Sequence, residues 1–357
     1  MFETDRLPSG WDARLNYLDE VWVPTRFSQD IFAAAGVQSR VIEEPIDTMF
    51  YRPRIPEFSD NDDGIPLSQS ASERAIVALE ALTSVSPLHQ LIPFIREGFT
   101  IFLFVGKWET RKGITTLLRS FYSEFSDANP KASPKAKPKV LLLIVTSSYH
   151  SSSDFERLVA EALPGDDDQG EEGPVSAYAD HGDSNGPSRL VLTAIPQPQM
   201  PLLYSLPRLY LTIPSSGEGW GRPHVEAMSC SKPILATNWS GPTAYLSESN
   251  GYPLPVAPEL VPVPGWEGHS WARVDEKALK LTMRRIFEQE EDEEEESIKG
   301  GLARGQRRAL IASDAAAKGV LARAVMETKY SLSVIGARVK ARLADIYASL
   351  ETEGEEL

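Results

Sequence analysis

The chain has few of the residues on which small secreted domains, metal centres and membrane spans depend. It has one cysteine among 357 residues, so it cannot form an internal disulfide, and it has five histidines. No apolar run reaches the ~18 residues that a membrane-spanning helix needs. The first residues lack the basic start and apolar stretch of a signal peptide. These absences predict a protein of a reducing compartment, the cytoplasm, with no metal site and no transmembrane segment.

Positive charge is also scarce, and most of the negative charge is local. The chain has 51 acidic and 36 basic residues, for a net charge of −15. The runs 166–172 and 288–296 together hold thirteen acids, so the rest of the chain carries about −2. Both runs are predicted to be disordered, solvated insertions. Asp60-Asn-Asp62 has the spacing of a metal-binding motif, but its polar surroundings favour a chance match. No segment is basic enough to predict nucleic-acid binding.

The most informative feature that is present is a glycine-rich turn between two predicted strands. The apolar runs 209–213 and 233–236 are typical of buried strands. Glycines within 217–221 let the backbone turn tightly and approach a ligand. Pro223 suits the first turn of a helix, because its missing N–H would be unpaired there anyway. The pattern predicts strand, turn, helix and strand, with a helix start that favours anionic or hydroxyl-rich ligands.

Two glutamates, Glu218 in the turn and Glu226 on the helix, have seven residues between them. Taken alone, they could be a loop residue and a solvated helix residue. The whole stretch resembles the group-one family of retaining glycosyltransferases, whose paired glutamates hold a nucleotide sugar. The resemblance implies that Glu218 is catalytic and contacts the donor sugar beside the anomeric centre, while Glu226 accepts hydrogen bonds from the ribose. It also assigns donor-sugar and ribose contacts to Gly219, Trp220, Gly221 and Arg222.

A second motif follows the apolar run 99–105, which reads as a buried parallel strand. The segment 106–113 contains two glycines and three cations, and apolar residues then recur at helical spacing through 114–125. Strand, glycine-and-cation loop and helix form an arrangement that binds phosphate. The alternative is an ordinary strand-to-helix turn with surface lysines.

This second motif also resembles the glycosyltransferase family, in which two cations neutralise the diphosphate leaving group. The resemblance assigns diphosphate contacts to Gly106, Lys107 and Lys112. Lys112 matches the usual Lys-Gly pair, whereas Lys107 stands where the family more often has arginine and supplies charge without a planar fork. Arg111 is predicted to point to solvent.

The order of predicted elements gives the fold class. Strands alternate with helices from about residue 98 onward, which predicts a parallel α/β sheet with right-handed crossovers. Both motifs then lie beyond the carboxyl ends of strands, where such sheets bind ligands. We therefore predict a GT-B architecture with a doubly wound, Rossmann-like donor domain. The predicted divisions are an acceptor-domain remnant with linker (1–97), the donor domain (98–265, with disordered insertions at about 129–139 and 164–188) and a helical region (266–357, with the acidic insertion 288–296).

The resemblance covers roughly residues 1–50 and 98–350, and the chain departs from the family outside the two motifs as well. It implies that most of the amino-terminal acceptor domain, which usually carries a catalytic histidine, is missing. No histidine of the chain matches that role, although His224 in the donor turn is interpreted as facing the sugar or phosphate. Ser231 stands where the family usually has glycine to end the helix.

These observations leave two classes of function open, and a weaker third. The first is an enzyme that transfers a sugar from a UDP- or GDP-linked nucleotide sugar to an unknown acceptor, with retention and without a metal or cofactor. The second is an inactive nucleotide-sugar-binding fragment. The third is a scaffold that uses its acidic runs to engage partners.

Overall fold

The structure is a computed structural model that describes residues 3–55, 70–126, 138–148, 153–163, 187–193, 195–299 and 314–355, without the side chains of 293–299 and 352–355. The insertions predicted at about 129–139 and 164–188 lie largely outside these residues. The acidic run 166–172 and Asp60-Asn-Asp62 lie wholly outside them.

The described residues form ten strands. In chain order they are β1 (Trp22–Val23), β2 (Arg40–Val41), β3 (Thr100–Trp108), β4 (Val140–Ser148), β5 (Ser188–Leu192), β6 (Leu209–Ile213), β7 (Ile234–Thr237), β8 (Tyr252–Leu254), β9 (Val261–Pro262) and β10 (Ser270–Trp271).

Eleven α-helices accompany these strands in the described part of the chain. They are α1 (Trp11–Leu15), α2 (Arg26–Ala34), α3 (Ala71–Glu80), α4 (Ile92–Glu97), α5 (Ile114–Phe125), α6 (Phe155–Ala162), α7 (Met200–Ser205), α8 (Arg222–Ser229), α9 (Glu276–Lys299), α10 (Asp314–Val325) and α11 (Leu332–Glu355).

A six-stranded sheet in the order β5-β4-β3-β6-β7-β8 forms the centre of the molecule, and every neighbouring pair in it is parallel. The chain builds outward from β3 to β5, then returns to place β6 on the other side of β3. This is the predicted doubly wound order, and its reversal point lies between β3 and β6. Parallel strands are covered on both faces, which explains why β3, β4 and β6 read as continuous apolar runs.

Amphipathic helices cover the sheet. The clearest is α5, whose apolar residues recur three and four apart and therefore lie on one face. That face is buried in the main core together with residues of α9. The buried side chains of α5 are Ile114, Leu117, Leu118, Ser120, Phe121 and Phe125.

A smaller unit precedes the sheet. Its β1 and β2 form a parallel pair, and α2 packs beside them, with Thr25 Oγ1 accepting a hydrogen bond from Ser28 N at 3.0 Å as the N-cap. The helix ends near Gly36, whose φ of +76° is the left-handed conformation typical of a helix C-terminal cap. The buried apolar residues of this unit are Leu7, Val21, Val23, Ile31, Phe32 and Val37.

The last helix, α11, returns to this small unit. Arg338 Nη1 lies 2.7 Å from Glu43 Oε2, and the Arg342 guanidinium pairs with the Glu20 carboxylate. A π-helical turn over Met326–Tyr330 separates α11 from α10. Within the predicted helical region 266–357, the described residues thus form α9, α10, this turn and α11.

The acidic run 288–296 was expected to be a disordered insertion, and that expectation is wrong. These residues continue α9 to Lys299. Glutamate has a high helix propensity, and the apolar face of α9 is already buried against α5. Glu290 and Glu291 also pair with Arg208, at 3.3 and 3.0 Å.

Among the residues that the structure describes, no helix is both long enough and apolar enough to cross a membrane.

Ser231 occupies the left-handed position expected of the family's glycine, with φ 60°. A non-glycine residue in this conformation is strained by ~1–2 kcal/mol. Replacing it with glycine relieves the strain, but the greater conformational entropy of glycine in the unfolded state offsets part of the gain. We expect Ser231→Gly to raise the free energy of unfolding by about 0.5–1 kcal/mol, measured by urea denaturation. Ser231→Ala is the control, because it removes the hydroxyl and keeps the strain. A gain in Ser231→Ala equal to that in Ser231→Gly would contradict the explanation.

Candidate functional site

Both predicted motifs meet at the carboxyl ends of β3 and β6, where the strand order reverses. β3 runs to Trp108, so Gly106 and Lys107 are strand residues and not loop residues. A short turn, Thr110–Lys112, follows and ends at Gly113, with φ +74°. A Cβ at Gly113 would lie 2.1 Å from the backbone oxygen of Pro214. Glycine at this position therefore lets the turn after β3 touch the loop after β6.

The loop 214–221 is packed as tightly on its other side. The backbone oxygen of Glu218 accepts hydrogen bonds from Gly241 N at 2.7 Å and from Ser240 Oγ at 3.0 Å. A Cβ at Gly241 would lie 2.4 Å from that same oxygen. The loop is thus fixed by the segment that follows β7.

Glu218 and Lys112 form an ion pair at the centre of the site. Lys112 Nζ donates to Glu218 Oε1 at 2.6 Å, and the side chains are 15% and 6% exposed. Burial alone would raise the pKa of the Glu218 carboxyl, but Lys112 and Arg111 outweigh burial and hold this pKa below its usual value. Glu218 is therefore an anion in a mostly water-free setting, where its charge acts strongly.

Arg111 was predicted to point to solvent, and this prediction is wrong. Its side chain is 11% exposed and lies inside the site. Its Nη1 donates to the backbone oxygen of Gly217 at 2.6 Å, and its Nε lies 2.8 Å from Glu3 Oε2 and 3.3 Å from Glu109 Oε1. The tertiary contact with the loop after β6, which local sequence does not encode, turns this residue inward.

Glu3 reaches the site from the segment that precedes α1. Its backbone oxygen packs on Gly217, where a Cβ would approach it to 2.2 Å. The segment is held to β10 by a hydrogen bond from Asp5 N to the Ser270 oxygen at 2.9 Å. Burial raises the pKa of the Glu3 carboxyl, although Arg111 opposes this. Local sequence carries no signal for Glu3, since its contacts are to residues more than a hundred positions away.

Glu226 lies on α8, the helix that follows the loop of Glu218, and two tyrosines hydrogen-bond its carboxylate. Tyr204 Oη donates to Glu226 Oε2 at 3.1 Å, and Tyr51 also hydrogen-bonds the carboxylate. Burial raises the pKa of Glu226, and the two phenols oppose the rise. α8 begins at Arg222 with Pro223 in its first turn, as predicted. A carboxylate held in this way can accept further hydrogen bonds from a vicinal diol.

Trp220 and His224 lie beneath the loop. Trp220 is 1% exposed, and its ring packs edge-on against Tyr245 and Tyr330. His224 is wholly buried, with its Nδ1 2.3 Å from where a Cβ at Gly221 would be. The structure therefore does not bring either ring to the surface of the site, and the interpretation of His224 as facing the sugar or phosphate is not supported by its position.

A hydrogen-bond chain fixes the tautomer of His224. Tyr245 Oη donates its one proton to the backbone oxygen of Trp220 at 2.5 Å, so it must accept from His224 Nδ1 at 3.1 Å. His224 Nε2 is then an unprotonated acceptor, buried without a hydrogen-bond partner among the described residues. Burial lowers the pKa of His224 to about 4. This histidine is therefore neutral at physiological pH.

The remaining predicted site residues either lie at the exposed rim of the site or contribute only backbone to it. Lys107 is exposed, at the end of β3. Arg222 is half-exposed and lies 3.7 Å from the carboxylate of Glu44, which approaches from the segment after β2. Burial raises the pKa of Glu44. Gly219 and Gly221 belong to the tight loop, where they contribute backbone and no side chain.

Within the described ranges, no group of three or more histidine, cysteine, aspartate or glutamate side chains could hold a metal ion. Cys230 is buried, with its Sγ 3.7 Å from the backbone oxygen of Arg52, as expected of a core residue.

Glu226 and Glu218 predict opposite effects of pH on stability. The pKa of Glu226 is raised above its ordinary value of 4.5, so stability is lost as pH rises from 4.5 through the folded pKa. The pKa of Glu218 is lowered, so its stabilising contribution is present above 4.5 and is lost as pH falls.

We therefore expect Glu226→Gln to increase the free energy of unfolding more at pH 7 than at pH 4. Glu218→Gln, the matched control, should decrease it more at pH 7 than at pH 4. Urea unfolding of the three proteins at both pH values measures the difference. An effect of Glu226→Gln that is the same at the two pH values would show that this carboxylate is not strained by burial.

No protein-family model and no curated protein matches this chain. Solved structures do. The chain is similar to sucrose-phosphate synthase from Thermosynechococcus elongatus, with a TM-score of 0.57 and 18% identity over 95% of this chain and 61% of the other. It is also similar to Anabaena Alr3699/HepE in complex with UDP-glucose, with a TM-score of 0.55 and 14% identity over 94% and 68%.

A third similar structure is that of S. aureus TarM in complex with UDP, with a TM-score of 0.52 and 12% identity over 95% of this chain and 49% of the other. The chain thus spans about half to two thirds of the length of these proteins. At such low identity the likeness concerns the fold, and it agrees with the six-stranded parallel sheet and its helices. This chain has the GT-B glycosyltransferase fold.

Proposed function

We propose that this protein is a glycosyltransferase that moves a sugar from a nucleotide sugar to an acceptor, with retention and without a metal ion. The observation that carries the proposal is the ion pair of Lys112 and Glu218 at the reversal point of the sheet, with Glu226 on the helix that follows the loop of Glu218. One cation, one buried anion and one hydrogen-bonded carboxylate match the three parts of such a donor: diphosphate, sugar and ribose.

Lys112 and Lys107 have the task of stabilising the diphosphate as it leaves. Negative charge develops on the leaving group, and preorganised cations in a site of low dielectric stabilise it most. Lys112 is 15% exposed, so its charge acts with little screening, while Lys107 on the rim contributes less. The amino-terminal end of α8 adds positive potential beside them. These groups supply the charge that a metal ion supplies in metal-dependent transferases, which is why the proposal needs none.

Glu226 has the task of binding the ribose. Its carboxylate accepts from Tyr204 and Tyr51 and retains oxygen lone pairs for two further hydroxyl donors. The raised pKa of Glu226 reflects an anion that is short of hydrogen bonds, and the two ribose hydroxyls would provide them.

Glu218 has the task of orienting the sugar and supporting positive charge at the anomeric carbon. Its carboxylate is ionised and 6% exposed, and its backbone is held at two points by Ser240 and Gly241. A fixed anion close to the reacting carbon stabilises the oxocarbenium-like state through which such reactions pass.

A second candidate is binding of a nucleotide sugar without transfer. The favouring observation is the small size of the unit around β1 and β2, where six buried apolar residues form the cluster among the residues described. Under this candidate Glu226 and Lys112 bind the donor as above, and Glu218 has no turnover to support.

We expect calorimetry to detect saturable binding of a nucleoside diphosphate, with UDP tested first because the similar Anabaena protein was solved with UDP, and GDP and ADP next. Lys112→Ala and Glu226→Ala should each weaken binding about ten- to hundredfold, since a charge-assisted hydrogen bond contributes ~1.5–3 kcal/mol. Lys232→Ala is the matched control, because Lys232 precedes β7 and so lies toward the amino-terminal ends of the strands, away from the site.

The two candidates separate on turnover. If the protein is a transferase, it should release the free nucleotide from the matching nucleotide sugar, and Glu218→Gln should reduce that release while leaving nucleotide binding within a few-fold of normal. Binding without any release, by hydrolysis or by transfer to added sugar acceptors, would favour the second candidate. A folded protein that binds none of the three nucleotides would refute both.

A further inference from the structure

The two oxygens of the Glu218 carboxylate face different cations. Lys112 Nζ is 2.6 Å from Oε1, and Arg111 Nη1 is 3.7 Å from Oε2. Both cations belong to the turn after β3, and both help to hold the pKa of Glu218 down. The buried anion therefore has one close counter-ion and one that lies just beyond hydrogen-bond distance.

The two cations are held in different ways. The Arg111 guanidinium is fixed by three acceptors, since it donates to the Gly217 oxygen at 2.6 Å and pairs with Glu3 and Glu109. A guanidinium keeps its plane and its donor pattern when it is held at several points. Lys112 carries a point charge at the end of a flexible four-carbon stem, so its ammonium can turn from one anion to another.

A nucleotide sugar would change this balance. The proposed function has Lys112 serve the diphosphate, whose negative charge competes with Glu218 for the ammonium. A carboxylate that is 6% exposed cannot recruit water in place of a lost counter-ion, and a buried charge without a partner is costly or becomes protonated. Some other cation must then keep Glu218 ionised.

We propose that Arg111 is a positioning residue that keeps Glu218 ionised and in place while Lys112 is engaged by the diphosphate of the donor. The proposal rests on the proposed function for the role of Lys112, whereas the effect of Arg111 on Glu218 does not. Glu3 opposes Arg111, because its carboxylate lies 2.8 Å from the same guanidinium. Its negative charge offsets the stabilisation that the guanidinium gives to the Glu218 anion. Arg111 and Glu3 thus set the ionisation of Glu218 in opposite directions.

The groups that face Glu218 come from four elements. Arg111 and Lys112 lie on the turn after β3, Glu3 on the first described segment, His224 on α8 and Tyr245 on the turn after β7. His224 is neutral and Tyr245 keeps its proton, so the balance is set by the two cations and by Glu3, with Glu109 acting through Arg111.

The first experiment needs no ligand. The chain is labelled with glutamate carrying ¹³C at the side-chain carboxyl, and the Glu218 signal is assigned by its loss in Glu218→Gln. Removing the positive charge in Arg111→Gln should move the Glu218 titration midpoint upward by about one pH unit, since a nearby opposite charge lowers a carboxyl pKa by ~1–3 units. Arg111→Lys retains the charge and should stay within half of that shift. Glu3→Gln should move the midpoint downward.

The second experiment repeats these titrations with saturating UDP as the probe. In the unchanged protein, UDP should raise the midpoint slightly, because Arg111 remains. In Arg111→Gln, UDP should raise it by several times more. Equal shifts in the two proteins would overturn the proposal, as would a Glu218 midpoint that Arg111→Gln does not change.

Two further outcomes are decisive. If Arg111→Gln does not fold, as judged by circular dichroism, Glu3→Gln decides: a downward shift supports the proposal and an upward shift or no shift overturns it. If the folded protein does not bind UDP, GDP or ADP, the role of Lys112 and the proposed function both fail, while the ligand-free titrations still decide whether Arg111 holds Glu218 ionised.

Discussion

A buried ion pair joins the two halves of the sheet at the point where its strand order reverses. Lys112 follows β3 and Glu218 follows β6, so the 2.6 Å contact between them can form only when those strands are neighbours. Burying two charges is favourable only if hydrogen bonds satisfy both. Beyond the direct hydrogen bond within the pair, Arg111 supplies a second cation 3.7 Å from Glu218 Oε2, and the two loops pack closely at Gly113.

The rest of the site is organised to hold this pair rigid. Beneath the loop lies a packed aromatic layer, with Trp220, Tyr245 and Tyr330 in edge-on contact. The hydrogen-bond chain from His224 through Tyr245 to the Trp220 oxygen ties that layer to the backbone of the loop. Fixed dipoles and charges of this kind need no reorganisation when charge develops on a substrate. The layer explains why residues of the predicted donor motif are buried.

Much of the fold followed from local patterns. The apolar run 209–213 is β6 at its predicted bounds, and the glycine turn, Pro223 and the helix after it appear in the predicted order. The spacing of apolar residues and the positions of glycine and proline suffice there, because buried parallel strands and helix starts have strong local signatures. The same reasoning failed for 288–296, where charge density suggested disorder. Partners on other elements, Arg208 and Tyr210, hold that run in α9 instead.

The sequence by itself determined the α/β class, the two motifs and the places of Lys112, Glu218 and Glu226 within them, because each lies in a local pattern of glycine, proline and apolar runs. The tertiary structure alone decided which charges meet. Arg111 turns inward because it binds the Gly217 oxygen and the Glu3 carboxylate there. Both partners are more than a hundred positions from Arg111 in the sequence, one on each side. Trp220 and His224 are buried for the same reason: their neighbours come from after β7 and from the turn before α11. Contacts at such separation leave no local signature, so only the folded chain shows them.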